Sequence, residues 1–263
     1  MNMFAYDFMV RAFLASGIVA VVAGSVGYFL VLRAQTFAGH ALAHIAFAGA
    51  TGAALIGIPP IAGVVAVTVG AGAAMGLLGE KLSGRDVTIG IVLAVSLGFG
   101  ILFLSLTTTS AIQATSLLFG SVLAVSPVML ATLAVLGITT LAALALISRP
   151  LVFSTLQPEL AEAKGLSLRL VGTLFLALVA LAVAQSIQIV GVLLVFTLMV
   201  GPPAAAQLLT NRLGVGIALA ALLALAEAWL GITIAFYTDW STSFWIAVLS
   251  AGVYVGAAVL KRR

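Results

Sequence analysis

The amino-acid composition is that of an integral membrane protein. Of the 263 residues, 63% are hydrophobic and only 7% carry a charge, whereas about 25% of the residues of an average soluble domain are charged. The 11 basic and 7 acidic side chains are clustered, and four long stretches contain none of them: residues 34–79, 87–148, 170–211 and 240–260. Each stretch is long enough for at least one membrane crossing, which needs about 20 apolar residues. The net charge of +4 comes from scattered cations, which argues against a nucleic-acid-binding groove.

Two absences restrict the function further. Without cysteine, the chain has neither a disulfide framework nor a thiolate metal site. It contains no G-x-x-x-x-G-K-[ST] phosphate-binding loop, so any ATP would be bound by a separate ATPase chain. The first apolar stretch is not followed by a polar cleavage region, which favours a retained helix over a signal peptide.

Charges, prolines and polar clusters divide the chain into nine predicted membrane-spanning segments. They cover about residues 12–32, 40–57, 60–78, 87–106, 128–148, 169–185, 188–206, 213–236 and 243–260. Proline cannot continue a helix without loss of a hydrogen bond, so Pro59-Pro60 predicts a span end and Pro202-Pro203 a break. The expected fold class is all-α: a polytopic membrane helix bundle of eight or nine transmembrane helices, with an additional short re-entrant or interfacial helix, in one transmembrane domain, residues 1–263.

Residues 107–127 do not suit a full crossing. They are apolar only from Leu117 to Val125, a stretch of about nine residues that is too short to span the bilayer. We therefore expect a short re-entrant or interfacial helix here.

The basic residues indicate an orientation. If the nine segments all cross, ten of the 11 cations fall on one side and only Arg11 falls on the other. Cytoplasmic loops of membrane proteins are enriched in Lys and Arg, so the C-terminus is predicted in the cytoplasm and the N-terminus outside. The ten residues are Arg33, Lys81, Arg85, Arg149, Lys164, Arg169, Arg212, Lys261, Arg262 and Arg263.

His40 and His44 are the only histidines, and they stand four residues apart. On a helix this spacing places both imidazoles on one face, about 6 Å apart at Cβ, where they can bind one metal ion. Imidazole suits zinc, copper, iron and nickel, and without a nearby carboxylate the pair favours zinc. The alternative is a structural pair hydrogen-bonded to backbone carbonyls near a helix start. Ala41 stands where H-E-x-x-H metalloproteases carry their catalytic glutamate, which argues against a protease.

Glu227 is the only acidic residue well inside a predicted span. An ionisable group at that depth is rare and usually functional. It is a candidate for lining the metal pathway, for a proton relay or for a third metal ligand. The alternative is a glutamate that pairs with a polar neighbour or lies nearer the membrane interface.

The longest predicted cytoplasmic loop, residues 149–167, has the pattern of a short amphipathic helix. Pro158 is typical of a first helical turn, Glu159 and Glu162 suit the positive end of the helix dipole, and Gly165 can end the helix. Such a helix is a candidate docking element for a soluble partner. The alternative is an ordinary interfacial connector.

Four sequence strings together resemble the zinc and manganese ABC permeases of the ABC-3 type, and in particular the zinc-import members. They are GHALAHIAFAGATGA from Gly39, SLLFGSVLAVSP from Ser116, LQPELAEAKGLS from Leu156 and QIVGVLLVFTLMVGPPAAAQLLTNR from Gln188. They occur in matching order over nearly the whole chain.

The resemblance implies the membrane permease subunit of an ATP-driven importer of divalent transition metals in the bacterial cytoplasmic (inner) membrane. It implies a homodimer, a cytoplasmic P-loop ATPase dimer and an extracytoplasmic metal-binding protein as partners, besides membrane lipid, and no permanently bound cofactor. The segment from Glu159 to Gly165 would be the coupling helix seated on the ATPase. His44 would match the family's histidine and His40 would replace its usual aspartate. Because an imidazole is softer than a carboxylate, zinc is the expected cargo and manganese the alternative.

Two other functions fit parts of the pattern. A related dimeric permease for a siderophore or cobalamin would need a large cavity and no metal-specific pair. A bis-imidazole haem membrane protein would also use two histidines, but usually on separate helices. In each of the transport hypotheses the chain is a transporter subunit and not an enzyme.

Overall fold

The computed structural model describes residues 3–78, 85–106, 120 and 124–261, and in these ranges it contains helices and no strand. A short 3-10 helix at Met3–Ala5 precedes ten α-helices. Their bounds are α1 Asp7–Leu32, α2 Thr36–Leu55, α3 Pro60–Leu78, α4 Arg85–Leu106, α5 Pro127–Leu156, α6 Pro158–Ala163, α7 Leu168–Val190, α8 Val192–Leu209, α9 Leu213–Thr238 and α10 Thr242–Lys261.

Each predicted segment falls on one of the long helices, so the all-α membrane bundle is confirmed. Among the described residues, all of the long helices except α2 and α8 are long and apolar enough to cross a membrane. Two histidines and several glycines lower the hydropathy of α2, and α8 contains a shorter apolar stretch, Val195–Leu209. The short helix predicted within residues 107–127 lies outside the described residues, apart from Gly120 and the segment that leads into α5.

Four helices, α1, α2, α7 and α8, form the interior of the bundle. α1 packs against α5, α7, α8 and α9, while α2 packs against α3, α4, α7 and α8. In the most apolar stretch of α1, 78% of the residues are buried, compared with 11% in α4 and 17% in α10. The outer helices expose large apolar side chains, as expected of surfaces that face lipid.

Glycine allows the inner helices to approach closely. Gly49 of α2 lies against the backbone of Gly63 in α3, and a Cβ atom added at Gly72 of α3 would lie 2.6 Å from the carbonyl oxygen of Leu176 in α7. Such close backbone approach is a main source of helix association in lipid, where burial of apolar surface gives little driving force. Larger side chains at these positions would force the helices apart.

Several predicted cytoplasmic cations lie together at one end of the bundle, called the basic end below. Arg33, which follows α1, donates hydrogen bonds from Nη1 to the hydroxyls of Ser154 (3.2 Å) and Thr155 (2.7 Å) at the end of α5. Its guanidinium also lies 5.6 Å from the ring centre of Phe175 in the second turn of α7. These four residues, the Arg33 clamp, join α1, α5 and α7.

The two ends of the described chain lie at opposite ends of the bundle. Met9 of α1 shares a cavity with Trp240, which lies between α9 and α10, so α1 begins far from the basic end. Ile246 packs on Gly231, and α10 runs antiparallel to α9 and ends level with its start. Lys261 is therefore at the basic end.

Two proline positions differ from the prediction. The break predicted at Pro202-Pro203 is wrong, because α8 continues through both prolines to Leu209. Likewise α5 continues through Pro150 to Leu156, beyond the predicted end of that span. Proline inside a membrane helix is tolerated where neighbouring helices stabilise the segment. Pro202 and Pro203 are both buried among such neighbours. The predicted boundary at Pro59-Pro60 is confirmed, since α3 begins at Pro60.

Candidate metal site and coupling surface

A tight turn after α1 determines how α2 is placed. Ala34 has a left-handed φ of 52°, Gln35 is buried at the N-cap position, and α2 begins at Thr36. The Gln35 N–H donates to the Leu30 carbonyl (2.9 Å), and the Leu30 side chain packs on Gly39. The turn therefore fixes the rotation of α2 and the face on which its histidines lie.

His40 and His44 lie one turn apart on α2 with their rings in edge-to-face contact. The ring centres are 4.7 Å apart and the ring planes meet at 77°. Phe196 of α8 also contacts His40 edge to face, at 5.0 Å between ring centres. Both histidines are partly exposed, so the structure brings the predicted pair together at a surface of α2 that faces α8.

The imidazole nitrogens are available for a ligand. In the part of the chain that the structure describes, neither histidine forms a hydrogen bond. The backbone-bonded structural pair would show such bonds. The haem alternative needs imidazoles on opposite sides of a macrocycle, whereas these two rings lie on one helix in mutual contact.

Two histidines provide only part of a coordination shell. Among the described residues, no group of three or more His, Cys, Asp or Glu side chains could hold a metal ion. Zinc usually takes four ligands and manganese takes more, largely oxygen. An ion at this pair would therefore need water or a second chain to complete its shell, and such a shell also releases its ion readily.

Glu227 lies apart from the histidines, where α9 packs on α8 and α10. Its side chain is 2% exposed and lies beside Ser250 of α10, which in turn contacts Gly201 of α8. The Ser250 hydroxyl is the polar neighbour of this carboxyl group, and among the described residues no basic side chain forms an ion pair with it. Burial of a carboxylate without an ion-pair partner is costly. Glu227 does not join the two histidines in a group that could hold a metal ion within the described residues.

The predicted amphipathic helix is present as α6, at the basic end of the bundle. It spans Pro158–Ala163, with Glu159 and Glu162 exposed and Ala161 buried beneath them. Gly165 follows with a φ of 80°, and its N–H donates to the carbonyl of Glu162 (2.8 Å). The helix therefore presents two carboxylates on an exposed surface, where a soluble partner could contact them.

Two features of this region were not predicted. Nothing in the sequence near His40 indicated that Phe196 would contact it, because the two residues meet only through the packing of α2 on α8. The Arg33 clamp joins residues 121 and 122 positions apart. The charge of Arg33 was a visible signal, but its partners are ordinary hydroxyl residues in an apolar stretch.

The family model of the ABC 3 transport family matches residues 5–261. The chain is 29% identical to the manganese transport system membrane protein MntC of Halalkalibacterium halodurans over 254 residues, which is 96% of this chain and 87% of that protein. It is 30% identical to the chelated iron transport system membrane protein YfeD of Yersinia pestis over 258 residues, 97% of this chain and 86% of that protein.

Solved structures support the same fold. PsaBC from Streptococcus pneumoniae, solved in complex with a Fab, matches with a TM-score of 0.87 and 23% identity, covering 97% of this chain and 92% of that chain. A metal-chelate type ABC transporter in an inward-facing conformation matches with a TM-score of 0.70 and 17% identity, covering 95% and 85%. Because the family model covers nearly all of it, the chain is a membrane transport protein and belongs to the ABC 3 transport family.

Proposed function

We propose that this chain is the membrane permease of an ATP-driven importer of divalent transition metal ions, with His40 and His44 as a transient binding site on the ion's path. The observation that carries the proposal is the partly exposed pair of imidazoles on one face of α2, in ring contact and without hydrogen bonds in the described residues. An i, i+4 pair can bind one ion through two nitrogens. Its incomplete shell suits a site that must let its ion go.

A second copy of the chain is proposed to complete the pathway. One copy offers two nitrogen ligands, while a homodimer with the two α2 helices near its axis would offer four. Glu227 enters the proposal as a separate polar position on the pathway. Its burial at the packing of α8, α9 and α10 without an ion-pair partner in the described residues supports a role in a conformation where these helices are arranged differently.

The relatives and the ligands favour different metals. Relatives that match nearly the whole chain are named for manganese or iron transport, which favours manganese as the cargo. The specific observation in favour of zinc is the second imidazole at residue 40, since manganese prefers oxygen ligands. We therefore propose manganese as the first candidate and zinc as the second.

ATP hydrolysis is assigned to a separate P-loop ATPase that docks on α6. The exposed carboxylates of Glu159 and Glu162 support this docking surface, as does the bend at Gly165 that holds the helix at the end of the bundle. The basic end is then cytoplasmic, and the protein lies in the bacterial cytoplasmic membrane with its N-terminus outside. An extracytoplasmic metal-binding protein would deliver the ion at the opposite end.

Transport assays in proteoliposomes test the proposal. The complex of this chain with its ATPase, supplied with the metal-binding protein, should take up ⁵⁴Mn or ⁶⁵Zn in the presence of ATP. The His40→Ala/His44→Ala variant should lose both metal uptake and metal-stimulated ATP hydrolysis. Phe37→Ala is the matched control, because Phe37 is an exposed residue of the same helix and should transport normally. Unchanged uptake by the double variant would refute the assigned site.

A further inference from the structure

A cleft at the basic end has a lining that the transport proposal does not use. It has a volume of about 450 Å³ and lies between the last turns of α5 and Leu213 at the start of α9. Ser148, Arg149 and Gln157 supply polar groups, while Phe153 and its neighbours supply an apolar floor. We call it the α5–α9 cleft.

One cation lines this cleft, and a second lies against one of its lining residues. Arg149 is in the lining, and the Lys164 ammonium lies 5.6 Å from the ring centre of Phe153, which also lines the cleft. Both side chains are exposed, and in the described part of the chain neither forms an ion pair with a carboxylate. The cleft therefore offers two positive charges to an anionic ligand.

The position of Arg149 along α5 matches a membrane boundary. α5 contains 30 residues, about 45 Å at 1.5 Å per residue, which exceeds the hydrocarbon thickness of about 30 Å. Counted from Pro127, Arg149 lies about 33 Å along the helix axis. Leu146, one turn earlier on the same face, is 81% exposed. One face of α5 thus changes from lipid-exposed leucine to arginine where headgroups begin.

We propose that the α5–α9 cleft binds an anionic phospholipid of the adjacent leaflet, with the phosphate near Arg149 and Lys164 and an acyl chain along the exposed face of α5. Basic pockets between membrane helices are typical sites for acidic lipid headgroups. The apolar floor beside the two cations fits a ligand that has both a charged and an apolar part.

Charge complementarity favours an anionic lipid over a docking protein as the occupant of the cleft. The neighbouring α6 exposes Glu159 and Glu162, so a protein that covers α6 should present basic groups to it. The α5–α9 cleft requires the opposite charge. The lipid assignment depends only on the placement of the chain in a membrane and not on the identity of the transported metal.

Lipid retention by the purified full-length chain tests the proposal. In neutral detergent with equal amounts of phosphatidylglycerol and phosphatidylcholine, native mass spectrometry should detect preferential retention of phosphatidylglycerol. Arg149→Gln and Lys164→Gln should each weaken its binding about fivefold, the effect expected of one cation near a membrane surface. Arg149→Lys should retain binding, and so should Lys261→Gln, which removes an exposed cation at the end of α10.

Four outcomes would overturn the proposal. The first is equal retention of the two lipids by the unaltered chain. The second is unchanged phosphatidylglycerol binding in the Arg149→Gln/Lys164→Gln variant. The third is displacement of the lipid by inorganic phosphate at equal concentration, which would identify a site for small anions. In the fourth, the double variant keeps its lipid but no longer co-purifies with the ATPase, and the cleft is then a protein contact.

Discussion

Replacement of Arg33 by methionine should weaken the coupling between α2, which carries the histidines, and α6, which is the candidate contact for the ATPase. Arg33 lies in the turn between α1 and α2, and its hydrogen-bond partners Ser154 and Thr155 lie just before α6. The Arg33 clamp is therefore a direct connection between the candidate metal site and the candidate coupling helix. Without it, we expect ATP hydrolysis that is less dependent on metal and less metal transported per ATP.

The structural contribution of the clamp can be estimated from its contacts. A hydrogen bond from a charged donor contributes about 1.5 kcal/mol or more, and the cation–π contact with Phe175 contributes about 0.5–1 kcal/mol. Methionine can keep some apolar contact with that ring, so we expect a loss of about 3 kcal/mol. In soluble domains of similar length each kcal/mol lowers Tm by about 2–4 °C, which gives a decrease of about 8 °C.

Thermal unfolding of the purified chain in detergent, together with reconstituted transport, provides the measurement. The Tm and the transport rate of Arg33→Lys should lie between those of the unaltered chain and of Arg33→Met. Lysine keeps the charge but not the planar donor geometry. Arg212→Met is the control, since Arg212 is an exposed cation at the same end. If Arg33→Met unfolded within about 2 °C of the unaltered chain and transported normally, the clamp would have neither of the roles assigned to it.

Three further substitutions test the site and its surroundings. His40→Asp should increase manganese uptake relative to zinc uptake, because a carboxylate is a harder ligand than an imidazole. His44→Ala should abolish the uptake of both metals in the same isotope assay. If zinc uptake were unchanged in both variants, the pair would be structural. Glu227→Gln should raise Tm by removing a buried acid that has no ion-pair partner, and it should reduce transport. Normal transport would exclude this residue from the pathway. Gly165→Ala should lower the free energy of unfolding by about 1 kcal/mol, because Gly165 has a positive φ, and it should weaken ATPase coupling. Gly214→Ala, where a Cβ atom would meet open space, should leave stability and coupling unchanged. Equal effects of the two substitutions would contradict the role assigned to Gly165.

The helices could be predicted because charge is so expensive in lipid. The few charged residues fall near helix ends, as at Arg33 and Arg212, so the gaps between them gave the spans. The same rule identified Glu227 as an exception. Composition alone could not show that α2 is interior, since its histidines and glycines make it less apolar than the helices that face lipid.

The site was predictable only where it is local in sequence. His40 and His44 share a face because the helical repeat requires it, and Pro158 and Gly165 set the limits of α6 through local backbone geometry. Phe196 reaches His40 through tertiary packing, which no spacing rule contains. For the same reason the prolines of α8 were misjudged: their local cost is real, but the surrounding helices keep the chain helical.

Those prolines give α8 a property that α2 lacks. Pro202 and Pro203 have no N–H groups, so the carbonyls of Leu198 and Met199 have no helical donor four residues later. Bending α8 at this point breaks fewer hydrogen bonds than bending an uninterrupted helix. Pro202 lies less than two turns from Phe196, whose ring contacts His40. A change in the curvature of α8 at this point would therefore cost less than the same change in α2, and it would move Phe196 relative to His40.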